Sequence, residues 1–216
     1  MLEELRNKLS LLHAELYSSN LVAWTGGNIS EKDEETQLVA IKPSGVKYSE
    51  LSPDSIVIVD LEGQVVYGNN KPSTDTSSHL FIYNNNPEVR GVTHTHSTFA
   101  TAFCGAGKSI PCILTAQADE FGGIIPCAGY AEIGNESIGE NVIEMLEKYN
   151  SRTVLLKNHG VFSVGKNAEQ ALKNAVMAED CAKTTFYAMQ LGSCDQLTDA
   201  QIKDNWDRYQ NSYGQK

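Results

Sequence analysis

Ser55-Ile56-Val57-Ile58-Val59-Asp60-Leu61-Glu62-Gly63-Gln64-Val65-Val66-Tyr67 holds two β-branched runs parted by a short break that contains Leu61-Glu62-Gly63. Val and Ile suit a pleated, half-buried surface, and a break this short brings the chain back alongside itself, so the stretch predicts an antiparallel hairpin. Upstream, Leu38 to Ile41 predicts a strand running into Lys42-Pro43-Ser44-Gly45, and Thr25-Gly26-Gly27-Asn28-Ile29-Ser30 a glycine-rich turn opening another strand. Downstream, Gly91 to His96, Thr153 to Leu156 and Val161 to Val164 read as further strands. Leu2, Leu5, Leu9, Leu12 and Leu16 form the apolar stripe of a first helix over residues 2–19. Other helices are expected at Asp75 to Asn84, Ser97 to Cys104 with a stop at Gly105, Asn135 to Lys148, Ala168 to Gln190 and Thr198 to Tyr209. The longest carries Ala171, Ala175, Ala178 and Ala182 on one closely packed face. Hairpins mixed with helices, without regular strand–helix–strand alternation, predict an α/β fold of α+β character: one mostly antiparallel sheet flanked by helices, in a single domain over 1–216.

Composition narrows the function. The 216 residues carry 17 Lys+Arg against 27 Asp+Glu, a formal net charge of −10. Nucleic acid is bound through Lys and Arg, so this balance argues against such a partner. No stretch approaches the ~20 consecutive apolar residues that span a bilayer, and Met1-Leu2-Glu3-Glu4-Leu5-Arg6 is an acidic amphipathic start, so a cytoplasmic chain is expected. Five cysteines with no Cys-x-x-Cys pair point to reduced thiols rather than a disulfide framework or a thiolate zinc site.

The informative polar residues are histidines. At the end of a strand the side-chain period is two, so His94 and His96 project from one face and can reach one cation. Two imidazoles suit zinc or a neighbouring first-row divalent ion; two histidines on an exposed strand face can equally be incidental. Asn158-His159-Gly160 presents a third imidazole at a tight turn, where a bond to its own backbone is the other reading. Asp75 is a fourth candidate ligand, with helix capping as the alternative. His79, one turn on, is expected as a satisfied surface histidine with a possible supporting role behind Asp75, and His13 as solvated. The turns at Gly27-Asn28 and Ser44-Gly45 offer backbone N–H groups and hydroxyls to an anion.

Gly27-Asn28-Ile29-Ser30, Ile41-Lys42-Pro43-Ser44-Gly45-Val46, Lys71-Pro72-Ser73-Thr74-Asp75-Thr76, His94-Thr95-His96-Ser97, Ala118-Asp119, Ile125-Pro126-Cys127, Asn158-His159-Gly160, Gly165-Lys166-Asn167-Ala168 and Tyr213-Gly214-Gln215 occur in this order. Together they resemble the class II aldolase and adducin-head family, and within it the L-ribulose-5-phosphate 4-epimerase branch. The resemblance implies the class II aldolase fold and a divalent metal, zinc first and Mn2+ or Co2+ next, held by His94, His96 and His159 with Asp75. It implies a phosphorylated ketose bound by Gly27, Asn28, Ser44, Gly45, Ser73 and Thr74 with Lys42 close by. It also implies proton transfer by Asp119 and Tyr213, and a homotetramer in which a tail from about residue 204 to 216 completes a neighbour's site. Asp rather than Glu at position 75 sides with the epimerases. A class II aldolase acting on L-fuculose 1-phosphate or L-rhamnulose 1-phosphate is the alternative, and a non-catalytic adducin-like module is disfavoured by the intact histidines.

Overall fold

The computed structural model describes residues 1–212. Helix α1 (Glu3–Ser18) leads into strands β1 (Asn28–Lys32) and β2 (Val39–Ile41), and β3 (Val57–Val59) and β4 (Val65–Tyr67) form the hairpin expected from the sequence. Then follow α2 (Thr76–Asn85), β5 (Gly91–Thr95), α3 (Thr98–Ala106), α4 (Thr115–Phe121), β6 (Cys127–Ala128), α5 (Ser137–Tyr149), β7 (Thr153–Leu156), β8 (Val161–Gly165), α6 (Ala168–Leu191) and α7 (Asp199–Ser212). The eight strands make one sheet in the order β4-β3-β2-β1-β5-β8-β7-β6. Every neighbouring pair is antiparallel except β6 with β7.

Helices cover both faces, and strand alternation sorts the core between them. Val57 and Val59 join Leu80, Ile82, Val142 and Leu146 beneath α2 and α5. Ile56 and Ile58 point the other way, against Leu9, Leu12 and Leu16 of α1 and Leu172 and Ala175 of α6. The same switch within β7 sends Leu155 to a third cluster with α3, α4 and the alanine face of α6, where Ala178 and Ala182 are buried. Burying each large aliphatic side chain contributes about 1.5–3 kcal/mol, so these faces hold the helices on the sheet.

Three expectations need correction. Helix α3 runs past Gly105 to Ala106 and stops at Gly107, whose φ of 62° supplies the left-handed residue that ends it. His13 is fully buried rather than solvated: its Nδ1 bonds Leu9 O at 2.7 Å, and its Nε2 accepts Ile29 N–H at 2.9 Å. His79 is also fully buried, with Nδ1 2.7 Å from Ser30 Oγ, which in turn bonds the Tyr83 hydroxyl. Two elements, α4 and β6, had no signal in the periodicity.

Candidate metal centre and substrate cradle

Sheet register brings the polar motifs to one end. Asn28 opens β1 opposite His94 near the end of β5, and His94 in turn lies opposite Phe162 at the start of β8. His159 sits in the β7–β8 turn, and Lys42 follows β2 at the same end because β2 runs antiparallel to β1. Asp75 immediately precedes α2. The centre is therefore assembled from strand ends whose cores lie well inside the sheet.

His94, His96 and His159 offer ligand atoms that all lie within 4.8 Å of one another. Their ring centroids are 4.7 Å apart for His94–His96, 4.9 Å for His94–His159 and 5.4 Å for His96–His159. His94 Nδ1 lies 3.0 Å from Val161 O, and a carbonyl only accepts, so Nδ1 carries the proton and Nε2 keeps a lone pair directed at His96 Nε2, 2.9 Å away. Phe162 stacks on the His94 ring at 4.4 Å and fixes its plane. His159 Nδ1 is buried without a hydrogen-bond partner. A neutral imidazole anchored through its far nitrogen and an orphaned nitrogen in the same cluster fit a divalent metal with nitrogen ligands.

Electrostatics favour unprotonated ligands. Burial above all pushes the His94 imidazole down to about 3, against the pull of Asp75. His96 opens to solvent and His159 is half-buried, and desolvation lowers both. For Asp75, burial pulls upward, but His94, His79 and the bond from Asn28 together hold it below the usual carboxylate range. Asp75 makes no capping bond to α2, although it occupies the capping position. Its Oδ2 instead accepts Asn28 Nδ2 at 2.6 Å, and Ser73 Oγ receives the same amide at 3.0 Å.

Three turns around this centre are laced together. Ser44 N donates to Lys71 O at 2.9 Å and Ser73 N to Lys42 O at 3.1 Å, across a bridge between Pro43 and Pro72. The Tyr48 hydroxyl reaches Gly26 O at 2.9 Å and Gly27 O at 3.1 Å, joining the first turn to the second. Gly27 has a φ of 72°, and a Cβ there would lie 2.8 Å from His94 O, so only glycine lets this turn approach β5. Ser44, Gly45 and Thr74 are exposed along the cradle, while Gly27 and Asn28 are buried in its floor.

Asp119 is engaged by the last helix. It lies on α4, where Arg208 Nη2 reaches both its carboxylate oxygens, at 3.1 and 3.2 Å, and Gln210 donates to its carbonyl. Helix α7 thus packs on α4 of its own chain, with Trp206 against Gly122 and the Tyr209 hydroxyl donating to Glu120. Tyr213 lies outside the described residues. Two contributors had escaped sequence reasoning. Tyr48 stands beside the second turn, a position that hints at its tie. Glu179, on α6, accepts the N–H groups of Phe99 and Ala100 at 2.9 and 2.8 Å and so fixes the start of α3 just beyond His96; nothing local marks it.

An antiparallel-rich sheet with three histidines and a carboxylate at one end, ringed by glycine and hydroxyl turns, defines a metal-dependent class II aldolase-type scaffold. The chain belongs to the class II aldolase and adducin N-terminal domain family, whose sequence model matches residues 7–186. It is 40% identical over 196 residues to the protein named L-ribulose-5-phosphate 4-epimerase UlaF in Salmonella paratyphi C (strain RKS4594), covering 87% of this chain and 86% of that one. Among solved structures, an L-fuculose 1-phosphate aldolase superposes with a TM-score of 0.90 at 29% identity, covering 96% of each chain. The L-fuculose-1-phosphate aldolase from Thermus thermophilus, at 24% identity, shares the fold with a TM-score of 0.73 over 89% of this chain and 98% of its own. No helix among the described residues is long and apolar enough to cross a membrane.

Proposed function

We propose that the chain is a metal-dependent L-ribulose-5-phosphate 4-epimerase, interconverting L-ribulose 5-phosphate and D-xylulose 5-phosphate by breaking and remaking the carbon–carbon bond at C4. The observation that carries this reading is Asp75: a carboxylate released from capping, fixed by Asn28, whose charge acts on all three imidazoles. Identity to a protein named as such an epimerase supports it.

His94, His96 and His159, with Asp75 beside them, would hold the metal, zinc before Mn2+ or Co2+. When bound, the metal supplies Lewis-acid stabilisation of the negative charge that develops on substrate oxygen. Gly27, Asn28, Ser44, Gly45, Ser73 and Thr74 hold the phosphate through N–H and hydroxyl donors, with Lys42 behind them, and so keep the cleaved aldehyde fragment from leaving. Asp119 and Tyr213 exchange protons with the C4 oxygen on opposite faces of that fragment. Inversion follows when the aldehyde turns over before the bond re-forms. In this reading the enzyme is a homotetramer with sites at subunit interfaces; residues 206–210 lie on α4 of their own chain, so the part of the tail that serves a neighbour is narrowed to the end that carries Tyr213.

The test is an NMR time course of zinc-loaded protein with L-ribulose 5-phosphate. Growth of D-xylulose 5-phosphate signals is expected. Release of dihydroxyacetone phosphate from a ketose 1-phosphate, with no epimer formed, would instead establish a sugar-phosphate aldolase, the second reading, which the TM-score of 0.90 to an L-fuculose 1-phosphate aldolase favours.

A further inference from the structure

A phosphate seated among the three turns needs cations, and the buried one is largely committed. Lys42 is only 2% exposed, and its Nζ already donates to Thr25 O at 3.1 Å and Pro43 O at 3.3 Å, which occupies two of the three donors of an ammonium group. Two residues beyond Gly45, the exposed Lys47 holds its ammonium 5.0 Å from the ring centre of Trp24. That indole belongs to the first turn, two residues ahead of Gly26. Trp24 is 71% exposed and has a φ of 57°, a left-handed backbone that a bulky aromatic rarely takes. The Tyr48 hydroxyl, next in sequence to Lys47, binds the carbonyls of Gly26 and Gly27, so the turn carrying the cation and the turn carrying the indole are tied together. A Cβ built on Gly45 would meet no atom within 4 Å, so the space before this turn is open.

We propose that Lys47 and Trp24 form a clamp at the outer edge of the cradle, in which the Lys47 ammonium is a further cation for the phosphate monoester and the Trp24 indole holds it within reach. The proposal rests on the phosphate reading of the three turns. An ammonium over an indole face keeps its full charge while shedding part of its hydration, which suits it to pass to an anion. Its other partner, Glu50 Oε1 at 3.5 Å, is a loose contact between two exposed side chains and yields readily to a dianion. Lysine pairs with phosphate as a point charge, so the clamp asks for proximity rather than for a fixed fork of donors. Backbone strain concentrates at ligand clamps, and the strained Trp24 stands beside the turn whose carbonyl holds Lys42.

The chain has two tryptophans, so Trp206→Phe leaves Trp24 as the sole indole reporter. Inorganic phosphate is titrated into this variant, zinc-loaded and zinc-free, and into the parent chain by calorimetry. A saturable change in Trp24 emission is expected in both metal states, with a Kd equal to the calorimetric one. Lys47→Ala should weaken phosphate by about tenfold, and Lys47→Arg should restore most of it. Calorimetry on Lys47→Ala in the otherwise unaltered chain keeps the result independent of any disturbance at α7. Phosphate bound equally by parent and Lys47→Ala, or binding that leaves Trp24 emission unmoved, overturns the clamp alone. Failure of the parent to bind phosphate in either metal state overturns the cradle reading and the clamp with it.

Discussion

The two ends of strands β1, β5 and β8 are built on opposite plans. At the far end the charged groups are paired, and among the polar ones Asn174 Oδ1 is the exception. Glu31 takes Lys8 and the N–H of Ala168, Arg90 pairs with Glu34 and donates to Lys166 O, and Asn167 caps α6 by accepting Gln170 N–H at 2.9 Å. At the histidine end, Asn28 Oδ1, Thr95 Oγ1, Ser97 Oγ, His79 Nε2 and His159 Nδ1 are buried without partners. Each such atom costs about 1–3 kcal/mol, so the paired end and the core must offset what the open end forgoes. A groove of about 900 Å³ beside Lys8, Glu31 and Arg90 lies at the paired end.

Substitutions can break this division. His159→Ala should abolish stoichiometric zinc and lower turnover by about a thousandfold, while the metal-free chain unfolds at an equal or higher denaturant concentration because an orphaned nitrogen is gone. Metal analysis beside a urea titration checks both halves; a large loss of metal-free stability would show that the histidine end carries the fold as well. At the paired end, Gly91→Ala would set a Cβ 2.1 Å from Asn167 O. It should cost about 3 kcal/mol in a urea titration yet leave the zinc affinity of the folded fraction unchanged. Altered affinity would mean that strain travels the length of β5.

His13 sharpens the comparison, being fully paired behind the histidine end. Burial first, then the charges of Lys42 and His79, hold it down at about 3 against an ordinary 6.5, while its bond to Leu9 pulls the other way. The folded chain therefore binds fewer protons here than the unfolded chain does. The stability tied to neutral His13 is intact above pH 6.5 and is lost as pH falls from there toward 3, at up to about 1.4 kcal/mol per pH unit. Urea midpoints between pH 7 and 5 should fall less steeply in His13→Asn. An unchanged slope would assign the acid sensitivity to His79 and His94, which burial also holds low.

What the sequence made legible depended on whether the signal was local. The hairpin, the leucine stripe of α1 and the alanine face of α6 announce themselves by period, and His94 and His96 share a strand end. His159 joins them through a turn marked by Asn158 and Gly160. Helix α4 escaped notice because seven residues with Gln117 and Glu120 buried among Ala118 and Phe121 show no clean stripe. His13 and His79 were misjudged because the groups that satisfy them, Ile29 N–H and Ser30 Oγ, are brought up by β1 from more than a dozen residues away. The engagement of Asp119 by Arg208 likewise exists only once α7 lies on α4.

Helix α7 contains no buried residue, although it grips Asp119 and Glu120. A segment held by its surface alone is free to change during descent, because no substitution along it opens a hole in the core. The strands that gather the histidines have no such liberty. Divergence in what such a chain does to its substrate is therefore written most easily into its last helix.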